Sequence, residues 1–291
     1  MPTSPAPAFR PLQGVRIVSL AINLPGPATL LRCQRMGATC IKYEPPAGDP
    51  MLRYNRAAYA ALHQGIETAR IDLKTEPGLE RLHRMLADTQ VLLTAFRPSA
   101  LAKLGLGWDE LRARHPHLSQ VAIVSAPGPQ ADEPGHDITF FAGSGLIRGT
   151  ELPPTLYADM SGSLIASEAV LQAVLAARAP DARGGIRIEV AMNSAAEWLA
   201  LPRDWGLTSP TGVVGGGHAG YGVYRCADGR VALAAVEPHF AARLCEAAGL
   251  GTAEMEAPAT RTALAAWIAG RRRSELEALR QARDLPLKTM E

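Results

Sequence analysis

The sequence lacks a marked excess of charge of either sign. Its 291 residues include 30 lysines and arginines and 28 aspartates and glutamates, which leaves a net charge of +2. A nucleic-acid-binding protein usually carries a basic excess or a clustered basic face. The compact basic run at residues 271–273 lies in a mixed-charge helical stretch and is typical of a solvated helix face. We therefore expect no nucleic-acid partner.

Long apolar runs are also missing. The longest apolar stretches have the length of a strand or are interrupted by charges, short of the roughly 20 residues that a membrane-spanning helix needs. Residues 1–11 are rich in proline and alanine and lack the basic and apolar segments of a signal peptide. We expect a cytoplasmic protein without a membrane partner.

Cysteine is scarce, and its spacing forms no metal motif. The four cysteines are Cys33, Cys40, Cys226 and Cys245, and none of them belongs to a CxxC pair. This pattern predicts reduced thiols, with no zinc site and no disulfide framework. Aromatic residues make up 5% of the chain, and its five phenylalanines form no stripe that would mark a binding groove.

The common nucleotide and hydrolase motifs are absent as well. The first strand-to-helix turn has no GxGxxG, and the glycines at 215–217 are not followed by Lys-Ser or Lys-Thr. This excludes the usual dinucleotide and P-loop sites. Neither HExxH nor GxSxG occurs, which excludes the zincins and the α/β-hydrolases.

The sequence does contain a regular alternation of short apolar strands and helices. Strands are predicted at 14–20, 39–43, 68–73, 90–94, 120–125 and 187–192. Helices are predicted at 28–36, 77–86, 109–114, 160–178 and 195–201. Such an alternation builds parallel sheets with right-handed crossovers. We therefore predict an α/β fold, with a Rossmann-like parallel-sheet large domain.

A change of pattern near residue 208 predicts a second domain. The loop 208–220 is glycine-rich and is typical of a linker. A hairpin over 221–236 with an Asp-Gly turn follows, and then two helices at 239–248 and 260–279. We predict a large domain over 1–207, a linker over 208–220 and a smaller α+β domain over 221–291.

Three residues are candidates for catalysis, and each also has a structural interpretation. His136 follows a Pro/Gly-rich loop and could simply make a structural hydrogen bond. Asp159 directly precedes the long predicted helix, either as an N-cap or as a reactive carboxylate whose pKa the helix N-terminus lowers. In the second case, nearby backbone N–H groups could stabilise an oxyanion. Glu237 ends a strand before Pro238 and could be a solvated surface residue.

Short motifs accompany these residues along most of the chain, roughly from residue 11 to residue 250. They lie at 23–27, 36–38, 41–44, 48–50, 71–74, 96–98, 104–106, 135–137, 159–162, 224–229 and 236–238. In this order and spacing they resemble the family III CoA transferases (the CaiB/BaiF group), and within it the α-methylacyl-CoA racemase branch. Each motif is weak alone, and the resemblance rests on the whole set.

The resemblance implies a fold, a ligand and residue roles. It implies a Rossmann-like large domain with a small domain, an interlocked dimer, and a CoA thioester bound between the domains. In the transferase branch, Asp159 would be the nucleophile and would pass through anhydride and aspartyl-CoA thioester intermediates. In the racemase branch, Asp159 and His136 would be acid/base groups on opposite faces of the α-carbon, and Glu237 would orient His136.

The same resemblance places the CoA ligand. It implies that Arg97, in the Phe-Arg-Pro motif, binds CoA, with Asn23 and Pro25 as further binding residues. The acyl-CoA is the substrate, and no metal is expected. A small-molecule substrate and a homodimer are therefore the predicted partners.

Holding two acid/base candidates together favours α-proton transfer. An α-proton beside a thioester needs a poised base and an oxyanion-stabilising site, and inversion needs a second acid on the other face. We expect a racemase-like enzyme acting on a 2-methyl-branched acyl-CoA. CoA transfer through Asp159 is the alternative, because it needs only the nucleophilic carboxylate. The third hypothesis is that the protein is a non-catalytic paralogue that binds a CoA ester.

Two departures from the family pattern qualify this expectation. Residues 63–67 stand where family members have an Asn-Arg-Gly-Lys stretch, so a phosphate-binding lysine is missing. Arg35 replaces a usual acidic residue and is our candidate for the compensating cation. The chain also stops at Glu291, soon after 284–287, so most of the family's returning tail is absent and an ordinary homodimer is expected.

Overall fold

A computed structural model of the chain describes residues 9–251 and 253–291. The chain divides into two compact units, one ending at Ala200 and the other running from Leu201 to Glu291. This division lies before the glycine-rich segment 208–220 that the sequence indicates as a linker. The two units are described separately.

The first unit is built on a six-stranded parallel sheet. Its strands are β1 (Arg16–Ser19), β2 (Thr39–Glu44), β3 (Glu67–Arg70), β4 (Val91–Thr94), β5 (Ser119–Val124) and β6 (Arg187–Ala191). Their order in the sheet is β3-β2-β1-β4-β5-β6, with every neighbouring pair parallel. This is the strand order of the doubly wound Rossmann fold. The predicted α/β class and Rossmann-like sheet are confirmed.

The central strands are apolar because helices cover both faces of the sheet. All residues of β4 and β5 are buried, as is typical of parallel strands with two covered faces. Successive side chains point to opposite faces, so Ile17 and Leu93 join one apolar cluster while Val18 and Leu92 join the other. The sheet is therefore the middle layer of three.

Nine helices of the described chain surround this sheet. They are α1 (Pro25–Arg35), α2 (Met51–Tyr54), α3 (Arg56–Leu62), α4 (Glu76–Leu86), α5 (Pro98–Lys103), α6 (Trp108–Arg114), α7 (Asp137–Gly143), α8 (Tyr157–Ala177) and α9 (Met192–Asp204). The sequence predicts α1, α4, α6, α8 and α9, with ends that differ by up to three residues. It misses α2, α3, α5 and α7, which have four to seven residues and too few turns to show a helical period.

The long helix α8 corrects one expectation. It has 21 residues and is apolar enough to cross a membrane by length and composition, whereas the sequence indicates no stretch of that length. Half of its apolar window is buried, and it packs against α1, α7, β5 and β6. Burial in the protein accounts for its composition, since a helix between a sheet and another helix needs apolar residues on several sides.

The second unit has a three-stranded antiparallel sheet and three helices. The strands are β7 (Tyr221–Cys226), β8 (Gly229–Ala234) and β9 (Leu287–Met290), in the order β7-β8-β9. The helices are α10 (Pro238–Ala248), α11 (Pro258–Ala269) and α12 (Arg273–Arg283). The predicted hairpin is confirmed, because Cys226 pairs with Gly229 across a two-residue turn. The sequence misses β9, which pairs with β8.

The predicted helix 260–279 is two helices. Gly270 follows the end of α11, and Arg272 is the N-cap of α12, where its N–H donates to Glu275 Oε2 at 2.6 Å. The basic run 271–273 lies at this break and not along a continuous helix. The apolar residues keep a helical spacing through both segments, but the glycine ends the first helix and the new N-cap begins a second one.

Candidate functional site

A cavity of about 330 Å3 lies at the carboxyl ends of β1, β4 and β5. The chain moves outward from β1 to β2 and β3, returns to β4, and then continues to β5 and β6. The sheet order therefore reverses between β1 and β4, and open parallel sheets bind ligands in the crevice at this point. The fold places the cavity at the position where a ligand is expected.

Five of the seven predicted site residues line this cavity. They are Asn23, Pro25, Arg97, His136 and Asp159. Asn23 and Arg97 follow the carboxyl ends of β1 and β4, and the other three lie at the beginnings of helices. The structure thus brings them together although 136 residues separate the first from the last. Their chemical roles stay predictions.

Asp159 lies inside the first turn of α8. The helix begins at Tyr157 and its N-cap is Leu156, so the interpretation of Asp159 as an N-cap is wrong. The residue is partly buried, and burial raises the pKa of its carboxyl from 3.8 to about 6, with a further rise from the charge of Asp137. The expected lowering of this pKa is therefore also wrong. Burial and the nearby charge of Asp137 raise this pKa by more than the helix N-terminus lowers it.

Asp137 contacts the candidate site, although the sequence predicts no role for it. It is the first residue of α7, it is only 5% exposed, and its Oδ1 accepts the backbone N–H of Asp159 at 2.9 Å. It joins the first turns of α7 and α8 and fixes the backbone of Asp159. The available signal was an acidic residue directly after His136, at the start of a short helix.

His136 is presented to the cavity by the start of α7. It is the N-cap of that helix, and its backbone N–H donates to Thr139 Oγ1 at 3.0 Å. Its side chain is exposed and lines the cavity. The preceding Gly135 approaches Phe140 so closely that a Cβ there would lie 2.3 Å from the ring. A glycine is thus required before His136 for this turn to pack.

Arg97 supplies a cation at the same edge. It follows β4, and Pro98 begins α5 directly after it. The side chain of Arg97 is exposed. The start of α5 is held by Ser99, whose N–H and hydroxyl donate to Asp132 Oδ1 at 3.0 and 2.9 Å. This arrangement fixes the backbone that carries Arg97.

A second cavity of about 370 Å3 lies next to the first. Phe96 lines both cavities, so they share a wall. The second cavity is mainly apolar and includes Tyr43, Leu73 and Leu104, with Lys74 as a cation at its edge. Both cavities lie along the carboxyl edge of the sheet.

Two predicted residues do not line either cavity. Arg35 is exposed at the last position of α1, about 15 Å along the helix axis from Pro25 at the first position. Glu237 belongs to the second unit, where it is the exposed N-cap of α10. Its pairing with His136 stays a prediction.

One group of metal-ligating side chains occurs beside β2, among the described residues. The ligand atoms of Glu44, Asp49 and His63 lie within 4.8 Å of one another. Lys42 Nζ lies among them, 3.1 Å from Glu44 Oε1 and 2.9 Å from His63 Nε2, and it pairs directly with Asp49. The lysine ammonium therefore occupies the place where a cation would bind.

Comparison with known families shows which family the chain belongs to. Residues 12–291 match the family described as CoA-transferase family III. The chain belongs to CoA-transferase family III. The resemblance indicated by the short motifs is confirmed.

Curated members of CoA-transferase family III have different activities. A probable fatty acyl-CoA transferase (Rv3272) of Mycobacterium tuberculosis is 32% identical over 224 residues, 68% of this chain and 54% of that protein. Mouse alpha-methylacyl-CoA racemase is 30% identical over 260 residues, 84% of this chain and 66% of that protein. A cinnamoyl-CoA:phenyllactate CoA-transferase of Clostridium sporogenes is 35% identical over 151 residues, 47% of this chain and 36% of that protein. The chain spans about half the length of the curated relatives it matches.

Solved structures of this family share the fold. The crystal structure of Rv3272 from Mycobacterium tuberculosis aligns with a TM-score of 0.83 at 25% identity and covers 97% of this chain and 86% of that one. A CaiB/BaiF family protein from Brucella suis aligns with a TM-score of 0.77 at 23% identity over 97% of this chain and 84% of that one. The second likeness concerns the fold alone.

Proposed function

We propose that the protein acts on acyl-CoA thioesters by α-proton transfer, as a racemase or epimerase of 2-methyl-branched acyl-CoA. The observation that carries this proposal is that His136 and Asp159 line one cavity, and that the pKa of Asp159 is raised to about 6. The 30% identity with mouse alpha-methylacyl-CoA racemase over 84% of this chain supports it.

Both residues carry side chains of the kind that serves in general acid–base catalysis. A general base works best when its pKa lies near the operating pH, and the raised pKa brings Asp159 into that range. An imidazole also gains and loses protons near neutrality. In the proposed reaction, one of the two groups takes the α-proton and leaves a thioester enolate. The other group returns a proton to the opposite face of the α-carbon, which inverts it.

The two cavities are the proposed places for the two ends of the substrate. The acyl end would occupy the cavity between His136 and Asp159, against the wall formed by Asn23 and Pro25. The nucleotide end of CoA would occupy the apolar second cavity, with Arg97 and Lys74 near its phosphates. Arg35 lies outside both cavities and is not part of this proposal.

CoA transfer is the second candidate function. Two of the relatives described above are named as transferases. Asp159 alone would suffice for this chemistry, because its carboxylate lines the cavity and could attack the thioester carbonyl. The attack would release the CoA thiolate and leave a mixed anhydride on Asp159. The thiolate would then attack the Asp159 carbonyl of this anhydride, forming an aspartyl-CoA thioester and releasing the acyl group as a free carboxylate.

A screen of acyl-CoAs in deuterated water tests the two functions together. Mass spectrometry would report deuterium at the α-carbon and also CoA moved to an added carboxylic acid. Exchange without an acceptor acid is expected, and it should be reduced in both His136→Ala and Asp159→Asn, because each variant keeps only one of the two bases. The matched controls are His117→Ala and Asp88→Asn, which change exposed residues of the same unit that do not line the cavity.

Each other outcome has a defined meaning. If His136→Ala keeps full exchange, the two-base scheme is wrong. If CoA moves to the acceptor and hydroxylamine traps an adduct on Asp159, the protein is a transferase. Binding of acyl-CoA in calorimetry without either reaction would identify a non-catalytic paralogue.

The proposal includes a homodimer in the cytoplasm. Tyr157, Met160 and Leu164 are exposed and lie on one face of α8 at spacings of three and four residues. Trp198 on α9 is 67% exposed. Exposed large apolar residues that lie together often mark an interface between protein chains. Size-exclusion chromatography with light scattering should show a dimer that Leu164→Glu dissociates, whereas a wild-type monomer would contradict the proposal.

A further inference from the structure

A buried cluster of charged groups lies behind the cavity wall. Lys42 is in β2, between β1 and β3, and it is fully buried. Asp49 and Glu44 beside it are 1% and 4% exposed. Ionised side chains are almost never buried unless they are paired, so this cluster needs an explanation.

Every partner of Lys42 is defined. Its ammonium contacts the carboxylates of Asp49 and Glu44, and it lies 2.9 Å from His63 Nε2. His63 Nδ1 lies 2.6 Å from the backbone carbonyl of Tyr59, which can only accept a hydrogen bond. The proton of His63 is therefore on Nδ1, and Nε2 accepts from Lys42. Burial lowers the pKa of His63, which favours this neutral form.

The other side of the Asp49 carboxylate faces the cavity wall. Both of its oxygens accept the backbone N–H of Asn23 at 3.2 Å, and Oδ1 also accepts the N–H of Met51 at 2.9 Å. Asn23 lines the cavity and has a φ of 66°, in the left-handed region that L-residues rarely adopt. A strained backbone conformation persists only where its surroundings hold it.

We infer that Asp49, paired with the buried Lys42, is a positioning residue for the cavity that His136 and Asp159 line. Its carboxylate fixes the turn at Asn23 between β1 and α1, and this turn carries Ile22 and Pro25, which also line the cavity. The ammonium of Lys42 pairs with this buried carboxylate, and a hydrogen bond to a carboxylate is stronger than one to a neutral acceptor. The consequence for catalysis rests on the proposed function, but the positioning of the turn does not.

Hydrogen exchange measures the positioning directly. Pro25 and Pro27 carry no amide, so a peptide covering residues 22–27 reports four amides, including that of Asn23. We expect Asn23 to be protected in the wild type. Asp49→Asn keeps an oxygen of the same shape but removes the charge, and the exchange of Asn23 should become roughly tenfold faster. Asp88→Asn, at an exposed site, is the matched control and should change nothing.

A second variant distinguishes the effect of Asp49 from the ability of the Asn23 side chain itself to stabilise a positive φ. Asn23→Gly keeps the N–H and removes the steric cost of a positive φ, so protection should persist. If the glycine variant loses protection as fully as Asp49→Asn, the side chain of Asn23 holds the turn and the inference is overturned. An unprotected Asn23 amide in the wild type overturns it as well, even if Asp49→Asn does not fold.

The catalytic consequence has its own measurement. With acyl-CoA in deuterated water, Asp49→Asn should lower kcat for α-proton exchange by roughly tenfold or more with a smaller change in KM. The reason is that a small displacement of a positioned wall affects the reacting geometry more than the affinity. If the wild type performs no exchange, the proposed function fails, and hydrogen exchange still decides the positioning. If Asn23 loses protection while kcat is unchanged, the turn is held by Asp49 but does not act on catalysis, which overturns the catalytic part.

Discussion

The raised pKa of Asp159 predicts a stability gain from removing its charge. The substitution is Asp159→Asn, which keeps the shape of the side chain and cannot ionise. The folded-state pKa of about 6, compared with 3.8 for an unperturbed aspartate, corresponds to about 3 kcal/mol against the ionised form in the folded protein. Because the side chain is partly exposed, solvent screening reduces the expected effect to about 1–3 kcal/mol.

The sign of this effect depends on pH. Below pH 3.8, Asp159 is protonated in both the folded and unfolded states and contributes no difference. Between 3.8 and about 6 the folded state binds more protons than the unfolded state, so the free energy of unfolding falls as pH rises. Above about 6 the full penalty is present. Asp159→Asn should therefore stabilise the protein more at pH 8 than at pH 4.

Equilibrium urea unfolding, followed by circular dichroism at pH 4 and pH 8, measures the difference. We expect the gain from Asp159→Asn to be larger at pH 8 by about 1–2 kcal/mol. Asp88→Asn, at an exposed site, should show no such dependence. An equal effect of Asp159→Asn at both pH values, or a loss of stability at pH 8, would refute the reasoning. Either result would mean that Asp159 does not carry a raised pKa.

Three further predictions concern two residues of the first unit and one residue of the second unit. Asp137→Asn removes the charge beside Asp159, so the pKa of Asp159 should fall and the acid limb of deuterium exchange should move to lower pH. Gly135→Ala should destabilise the protein by about 1–3 kcal/mol in urea, because its Cβ would meet the ring of Phe140 at 2.3 Å. Arg261→Met removes hydrogen bonds of 2.6 and 2.8 Å to two carbonyls of the loop before β7, and it should lower the unfolding free energy by about 1–3 kcal/mol.

Matched variants control these effects. Gly143→Ala, where an added Cβ meets nothing within 4 Å, should leave the stability near that of the wild type. Arg225→Met changes an exposed arginine of the second unit and should have little effect. If either control loses as much stability as its partner variant, the contacts named above are not the cause. An acid limb that does not move in Asp137→Asn would show that the two carboxylates are not coupled.

The fold was largely predictable because its central strands are buried on both faces. Residues 91–93 and 121–124 are short uninterrupted apolar runs, and such runs are typical of a covered parallel sheet. The C-terminal strand β9 has the sequence Leu-Lys-Thr-Met and was missed. Four residues give too short an alternation to distinguish a strand from a loop, and only pairing with β8 defines it.

The site was predictable where its residues follow strands or begin helices. Asn23, Arg97 and Asp159 lie next to turns and element ends that the sequence reveals, and parallel strands bring such ends to one edge. Lys42 and Asp49 were not predictable as a pair. The alternation of side chains along a strand predicts that a lysine among apolar residues is exposed. Lys42 is buried instead, because it pairs with Asp49 from a loop seven residues away and with Glu44 of the same strand.

The raised pKa of Asp159 shows how burial, together with a second carboxylate, can exceed the effect of a helix N-terminus. A carboxylate in the first turn of a helix is normally stabilised by unpaired N–H groups, which lower its pKa. In this protein the N–H of Asp159 is donated to Asp137, and Asp137 also brings a negative charge close to the Asp159 side chain. The N–H group at the start of α8 therefore stabilises the carboxylate of Asp137, while burial keeps the pKa of Asp159 raised. That division of roles suits a group that must both take and return a proton near neutral pH.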